Sequence, residues 1–400
     1  MHVLIIEPGL TGHHAGYLER IASAYMQAGH TVTVTVILSN LAHPVFDRLK
    51  TKFDDAFHLA LLDENKYNGA CQSRFGLLGR ELAIRRLFGK AFREIYRRKP
   101  VDYVFLPYLD YCLYALGLLG SPFGAVQWGG ICMRPSFHYQ QFDVIAPKPK
   151  LAPIKRALFL RLLRSRTLRS IWTIDELLSR YIEERHAKWS RRLQYLPDPA
   201  ELKGNHTRES AREELDISED ALVVLVYGAI DERKGLAVLV EAACSPDVPA
   251  KLHLLVVGKQ STSMRHLINS SEVRALAAAG RLYSINEFVD DATQQKAFAA
   301  TDIVWLGYKN HYTMSGVLVL AVMSNKPVIA TEDGLIGWHT RNNNLGAVVD
   351  IDNVVSVREA LIQFCDRTTS SGSWTTHSFA NSTWVHFEQV LLASMEASQA

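Results

Sequence analysis

The 400-residue sequence contains only five cysteines, and no two of them lie close together. Zinc sites and dithiol redox motifs need cysteines about two residues apart, so the spacing argues against both. The odd number also argues against a disulfide framework, and we expect a reduced, cytosolic chain. The cysteines are Cys71, Cys112, Cys132, Cys244 and Cys365.

A long apolar run and a basic N-terminal leader are also absent. The most apolar window, residues 104–126, contains two prolines and an aspartate. A membrane span needs about 20 apolar residues, and a signal peptide needs a charged leader before its apolar segment. We therefore expect neither a transmembrane helix nor a signal peptide.

The composition is that of a globular protein, with 48% hydrophobic and 21% charged residues. At about 150 residues per domain, the length predicts two or three domains. The net charge of +3 conceals an asymmetry. Residues 1–200 contain 28 basic and 17 acidic residues, for a charge of +11, whereas residues 201–400 carry −8. Such asymmetry is typical of a face that binds an anionic partner.

Strands alternate with helices along the chain. Residues 3–6, 17–28 and 31–38 read as a strand, a helix and a β-branched strand, which is a βαβ unit. Later strands are expected at 101–106, 124–128, 170–174, 222–227, 252–257, 282–285, 303–306 and 327–331. This order predicts an α/β fold with two Rossmann-like, doubly wound domains that face each other across a cleft. The predicted domains are residues 1–197 and 198–375, with a C-terminal helix in 376–400 that packs back on the first.

Two loops of the second domain have the chemistry of a diphosphate site. After strand 222–227 comes GAIDERKG, in which Gly228 leaves the strand and Arg233-Lys234 precede a helix. Cations beside a helix N-terminus suit a diphosphate. In the second loop, Ser315 and Gly316 are small residues at the start of a helix, where backbone N–H groups are free. The alternatives are a solvated turn and a simple N-cap at Ser315.

The C-terminal half resembles the nucleotide-sugar domain of glycosyltransferases with the B-type fold, especially family 4. The similar features are Gly228 followed by Lys234-Gly235, and the small-residue helix that leads to Pro-Val-Ile-Ala at 327–330. The resemblance implies a nucleotide-diphosphate-sugar donor, with the acceptor bound by residues 1–197. It implies that Phe288 and Val289 lie where the base is held. Glu332 lies in the loop that corresponds to the family's Gly-Gly loop.

The sequence departs from the family pattern at three positions. Tyr312 and Leu320 stand where family 4 carries two glutamates, and Ala229 stands where an arginine helps to hold the diphosphate. Arg233 could supply that positive charge. Retaining and inverting transfer both stay open.

The first loop resembles that of inverting B-fold glycosyltransferases, in which a histidine removes the proton of the acceptor hydroxyl. Counting back from Gly29 assigns this role to His14, with Asp110 as its partner carboxylate. An imidazole suits the task because it accepts a proton near neutral pH. The alternatives are a surface histidine pair and a helix cap. Acceptor-side candidates are Gly12, His13, Trp128 and Arg134, with Trp128 as a sugar-stacking ring.

No group of histidine, cysteine and aspartate has the spacing of metal ligands, so no structural metal or tightly bound cofactor is expected. Whether a divalent ion binds the donor diphosphate is left open by the sequence.

Two basic stretches account for most of the charge asymmetry. Residues 74–99 contain nine basic and two acidic residues, and residues 148–169 contain eight basic and none acidic. Interleaved leucines favour contact with an anionic membrane surface or acceptor, and no nucleic-acid module accompanies the charge. Two solvated helices are the alternative.

These observations predict a cytoplasmic hexosyltransferase, peripheral on the inner face of the membrane. It would move a sugar to a glycan or lipid-linked acceptor in bacterial-type polysaccharide or glycolipid synthesis. A nucleotide-sugar epimerase and an inactive glycosyltransferase-like partner subunit are the alternatives.

Overall fold

A computed structural model describes residues 1–12, 14–72, 76–366, 379 and 381–396. The chain divides into two compact units. Unit 1 comprises the described residues of Met1–His138, Lys148–Pro197 and Trp384–Ala400, and unit 2 those of Tyr139–Pro147 and Asp198–Thr383. The short segment Tyr139–Pro147 therefore belongs to unit 2, although both of its flanks belong to unit 1.

Unit 1 is built on a seven-stranded parallel sheet with the order β3-β2-β1-β4-β5-β6-β7. Its strands are β1 His2–Ile6, β2 Thr31–Ile37, β3 Phe57–Leu62, β4 Tyr103–Leu106, β5 Gln127–Cys132, β6 Leu168–Thr173 and β7 Leu193–Tyr195. Its helices are α1 His14–Gln27, α2 Pro44–Phe53, α3 Glu64–Cys71, α4 Gly76–Arg98, α5 Leu113–Leu119, α6 Ala152–Leu162 and α7 Glu176–His186. The central strands β1 and β4 are buried at every residue, as expected where helices cover both faces of a parallel sheet.

Unit 2 has a six-stranded parallel sheet with the order β10-β9-β8-β11-β12-β13. Its strands are β8 Leu222–Tyr227, β9 Leu252–Val257, β10 Leu282–Ile285, β11 Ile303–Leu306, β12 Val328–Thr331 and β13 Gly346–Val349. Its helices are α8 Arg208–Glu214, α9 Leu236–Ala243, α10 Thr262–Ile268, α11 Ser271–Ala278, α12 Asp291–Ala300, α13 Gly316–Met323, α14 Gly334–Asn342 and α15 Val354–Asp366. Two Rossmann-like folds are thus present, as predicted.

The last helix, α16 (Trp384–Glu396), packs on α1 in unit 1. Tyr17 contacts the rings of Trp384 and Phe387 edge to face, and Arg20 forms an ion pair with Glu388 at 3.5 Å. Among the described residues, no helix has both the length and the apolar character of a membrane span.

Each sheet reverses its strand order once, and each reversal is a candidate position for ligand binding. The reversal lies between β1 and β4 in unit 1 and between β8 and β11 in unit 2. Loops at the carboxyl ends of such strand pairs diverge and leave space for a ligand. The segments that follow these four strands are therefore the candidate ligand-binding loops.

Candidate active site

In unit 2, the loops after β8 and β11 touch through their backbones. Gly235 has φ +63°, and a Cβ there would lie 2.1 Å from the carbonyl oxygen of Gly307. The N–H of Lys309 donates to the carbonyl of Arg233 at 2.8 Å. Only glycine at position 235 allows the two backbones to approach this closely. The contact therefore helps to fix the position of the preceding residue, Lys234.

Lys234 is a buried cation, with a relative exposure of 6%. Its ammonium group donates to the hydroxyl of Tyr308 at 2.5 Å and lies 4.1 Å from the centre of that ring. In the part of the chain that the structure describes, no carboxylate lies within 4.0 Å of it. A buried charge without an opposite charge is costly, and an anionic ligand would offset that cost.

The other predicted donor-side residues line the carboxyl edge of the same sheet. Gly228, with φ +100°, follows β8, and a Cβ there would lie 3.5 Å from the ammonium nitrogen of Lys234. Arg233 is exposed and lies 3.6 Å from Asp231. Glu332 follows β12, and its backbone carbonyl accepts a hydrogen bond from Arg341.

Ser315 and Gly316 begin α13, which follows β11. The Ser315 hydroxyl caps the helix by accepting from the N–H of Val317 at 3.3 Å. The carboxylate of Asp198 lies 3.5 Å from the position of a Cβ on Gly316. A carboxylate therefore already lies close to the N-terminus of α13.

Phe288 and Val289 follow β10, at the edge of the sheet and two strands away from β8. Phe288 is 90% exposed. The structure thus brings Gly228, Arg233 and Lys234 together, and it leaves Phe288 and Val289 at a separate edge position.

In unit 1, the loop after β1 forms a polar cluster with the segment after β4. His14 is the first residue of α1, and its Nδ1 lies 3.3 Å from the carboxylate of Glu7. Glu7 is fully buried, and its other oxygen accepts from the Tyr111 hydroxyl at 3.0 Å and from the N–H of Gly9 at 3.1 Å. The ring of Tyr108 lies 4.7 Å from that of His14. The His14–Glu7 contact is within ion-pair distance, although that Glu7 oxygen accepts no hydrogen bond from the described residues. A histidine beside a buried carboxylate is a candidate general base.

Residues 221–367 match the family model described as "Glycosyl transferases group 1". HepE of Anabaena, solved "in complex with UDP and glucose", is 14% identical with a TM-score of 0.63, covering 99% of this chain and 100% of HepE. Sucrose-phosphate synthase of Thermosynechococcus elongatus is 15% identical with a TM-score of 0.62 and coverages of 100% and 98%. WaaG, "a glycosyltransferase involved in lipopolysaccharide biosynthesis", is 15% identical with a TM-score of 0.62 and 98% of both chains covered. No curated protein sequence matches the chain.

The chain has the B-type fold of glycosyltransferases, and part of its second half matches a glycosyltransferase family model. The family match lies within the second predicted domain, and the solved structures extend the similarity of fold to the whole chain. Within the described residues, no group of three or more histidine, cysteine or acidic side chains could hold a metal ion.

Two predicted site residues need correction. Asp110 does not occupy the place expected of the His14 partner, since its two oxygens accept from the N–H groups of Met133 at 2.8 Å and Arg134 at 3.0 Å. Desolvation raises the pKa of Asp110 to about 6. Asp110 thus ties the segment after β4 to the end of β5, and Glu7 is the carboxylate beside His14. The signal for Glu7 was an acid directly after the apolar run at residues 3–6.

The second correction concerns Trp128, which was expected to stack on a sugar. Its ring is fully buried, and its indole N–H donates to Thr167 at 3.2 Å. Trp128 is therefore a core residue of unit 1. Arg134 lies on the ring of Tyr108 at 5.1 Å, near the His14 cluster, and Gly12 precedes the cluster with φ +61°. His13 lies outside the described residues.

Proposed function

We propose that this protein is a glycosyltransferase that moves a hexosyl group from a nucleotide-diphosphate-sugar in unit 2 to a glycan or lipid-linked acceptor in unit 1. The observation that carries the proposal is Lys234, a buried cation without a carboxylate partner among the described residues, placed where the strand order of the sheet reverses. A diphosphate would supply the missing negative charge.

The donor proposal is supported by two further features. Arg233 stands beside Lys234 on the same loop, so two cations are available for one diphosphate. HepE, with the same fold, was solved with UDP and with UDP-glucose. We therefore choose UDP-hexoses as the first donors to test.

The proposed chemistry separates a sugar from its diphosphate. As the bond from the anomeric carbon to the diphosphate oxygen breaks, negative charge grows on that oxygen. Lys234 and Arg233 would stabilise this charge, which is the usual largest contribution to such a reaction. The bond from the acceptor oxygen to the anomeric carbon forms, and the acceptor proton must leave.

We assign His14 as the base that takes the acceptor proton. Its Nδ1 faces Glu7, so Nε2 is the nitrogen assigned to accept the proton. Glu7 would stabilise the imidazolium that results, and Tyr111 would hold Glu7 in place. This assignment corresponds to inverting transfer, because retaining transfer does not need a base on the opposite face.

The basic helices of unit 1 support an acceptor at an anionic membrane surface. Both α4 and the start of α6 expose large apolar side chains between cations. Leu77 and Leu78 on α4 are about 40% exposed, and Leu151 and Ile154 at the start of α6 are 65% and 53% exposed. Each basic residue near an anionic surface contributes about 1 kcal/mol of attraction. We propose a peripheral protein on the inner face of the membrane.

An inactive partner subunit is the second candidate. Tyr312 and Leu320 occupy the positions of the family glutamates, and Leu320 is buried in α13. Such a protein would keep the fold and bind a nucleotide-sugar without transferring the sugar.

The test is nucleotide release from a panel of UDP-, GDP- and ADP-hexoses, with and without lipid-phosphate and oligosaccharide acceptors. We expect release that depends on the acceptor and is lost in His14→Ala. Binding of a nucleotide-sugar without release would favour the inactive partner subunit. Interconversion of the donor sugar would favour the epimerase, and failure to bind any donor would contradict the proposal.

A further inference from the structure

A groove of about 810 Å³ lies between α3 and α4 in unit 1. Four cations line it: Lys66 from α3 and Arg86, Lys90 and Arg93 from α4. Its floor is apolar, with the half-buried Leu82 and Ala83 and the buried Leu87. On the α3 side, a Cβ on Gly69 would meet no atom within 4 Å, so this glycine leaves the groove unobstructed.

The positive charge of the groove is only partly balanced. Lys66 forms an ion pair with Asp63 at 2.5 Å, and Lys90 forms one with Glu94 at 3.5 Å. Arg86 and Arg93 have no carboxylate within ion-pair distance in the described parts of the chain. Two guanidinium groups, which are the side chains best suited to hold a phosphate, are therefore available beside an apolar floor.

The topology places one end of this groove beside the His14 cluster. The helix α3 begins directly after β3, at the carboxyl edge of the sheet, and α4 returns to the amino edge before β4. On α3, the ring of Tyr67, next to Lys66, contacts that of Tyr111 edge to face at 6.2 Å. Tyr111 is the residue that donates to Glu7. From Gly79, near this edge, to Arg93 the helix rises by about 21 Å.

We propose that the groove between α3 and α4 binds a phosphate-bearing amphiphile, with its phosphate on Arg86 and Arg93 and its apolar tail on the floor. The inference rests on the proposed function, because it names the class of acceptor that unit 1 would take. It goes further in assigning the acceptor a specific groove instead of a diffuse basic surface.

The charge and the shape together select this occupant. A free phosphate would bind the two arginines but would leave the apolar floor exposed to water. A flat membrane surface would attract all the cations of α4 alike, including the exposed Arg97 and Arg98, which do not line the groove. An amphiphile with one phosphate uses both features of the groove and distinguishes Arg86 and Arg93 from the other cations.

The test is calorimetric binding of dodecyl phosphate, below its micelle concentration, to the full chain without a donor. The variant Arg86→Gln/Arg93→Gln is compared with Arg97→Gln/Arg98→Gln, which removes the same charge from the same helix. We expect the first to weaken binding by about tenfold or more, because charge-assisted hydrogen bonds to phosphate are lost. We expect the second to change it less than about threefold, since its charges act at longer range.

Inorganic phosphate and phosphatidylglycerol vesicles complete the experiment. We expect inorganic phosphate to bind at least about tenfold more weakly than dodecyl phosphate, since it buries no tail. Three results would each overturn the proposal that the groove binds a phosphate-bearing amphiphile. They are equal affinity for inorganic phosphate and dodecyl phosphate, equal effects of the two double variants, and vesicle binding without dodecyl phosphate binding. Lys234→Gln separates the two proposals, because it should weaken donor binding by about tenfold or more and leave dodecyl phosphate binding unchanged.

Discussion

The ammonium group of Lys234 lies 2.5 Å from the hydroxyl of Tyr308 and 4.1 Å from the centre of its ring. A phenol can orient a cation but does not neutralise it. This arrangement keeps the positive charge of Lys234 available at the end of β8.

The first prediction concerns Lys234→Gln. The substitution removes the buried charge and keeps a hydrogen-bond donor near Tyr308. Because hydrogen bonds between charged groups contribute roughly 1.5–3 kcal/mol, we expect the affinity for UDP or the cognate nucleotide to fall by about tenfold or more. Isothermal titration calorimetry measures the nucleotide affinity of the variant and of the wild type.

Lys309→Gln is the matched control for Lys234→Gln. Lys309 follows β11 on the neighbouring loop and is already paired with Asp352 at 3.0 Å. We expect its loss to change nucleotide affinity by less than about threefold, as is usual for an exposed pair. Equal losses in the two variants would show that Lys234 has no special role.

The second prediction distinguishes Glu7 from Asp110. Glu7→Gln keeps the size of the side chain and removes the charge beside His14, so we expect a fall in kcat of about tenfold or more with little change in KM. Asp110→Asn leaves Glu7, the carboxylate beside His14, unchanged. We therefore expect this variant to lower kcat less than Glu7→Gln does. Steady-state kinetics with the best donor and acceptor measures both.

The comparison of Glu7→Gln with Asp110→Asn can fail in a specific way. If Asp110→Asn lowers kcat as much as Glu7→Gln while both variants melt like the wild type, Glu7 is not the positioning residue for His14. A loss of stability in either variant would appear in the melting temperature and is measured first.

The parts of the site that the sequence predicts are those carried by local patterns. A glycine and two cations between a strand and a helix identify the loop of Lys234, whichever way the rest of the chain folds. The partner of His14 was assigned to Asp110 instead of Glu7, because which acid faces the imidazole depends on side-chain directions in three segments. Trp128 was misassigned because the predicted strand ended at residue 128, whereas β5 runs from Gln127 to Cys132 and places Trp128 inside the sheet.

The same limit applies to the fold. Strands β8 to β11 are apolar runs and match the predicted bounds, whereas β3, β7 and β13 were not predicted. Strand β3 lies at the sheet edge and exposes His58, Leu59 and Leu61, so its pattern is mixed. Strand β7 has only three residues, and β13 lies at the edge of its sheet with only Val349 buried. The groove between α3 and α4 depends on two helices whose packing no local pattern encodes.

The third prediction concerns Glu81, a 2% exposed carboxyl on α4 that accepts from the N–H groups of Tyr114 and Ala115. Burial raises its pKa from the ordinary 4.5 to about 7. Between these values the folded chain keeps a proton that the unfolded chain has lost. The free energy of unfolding therefore falls as the pH rises through this window, by up to about 3 kcal/mol.

Glu81→Gln removes this pH dependence and retains an oxygen for the two N–H groups. We expect the variant to gain stability relative to the wild type between pH 4.5 and pH 8, as measured by urea unfolding at both values. Glu94→Gln, on the exposed side of the same helix, is the control. A stability difference between Glu81→Gln and the wild type that stays constant with pH would contradict the raised pKa of Glu81.

The fourth prediction uses two glycines with the same backbone conformation and different surroundings. Gly235 has φ +63° and Gly280 has φ +69°. A Cβ on Gly235 would lie 2.1 Å from the carbonyl of Gly307, whereas one on Gly280 would meet nothing within 4 Å. Alanine at either position carries the left-handed cost of roughly 1–2 kcal/mol, but only Gly235→Ala must also push the two loops apart.

We therefore expect Gly235→Ala to lower the melting temperature more than Gly280→Ala and also to weaken nucleotide binding. Lys234 directly precedes Gly235, so any movement of the loop displaces its ammonium group from Tyr308. Gly280→Ala, at the end of α11, should bind nucleotide like the wild type. If the two variants bind nucleotide equally well, contact between the loops after β8 and β11 is not what positions Lys234.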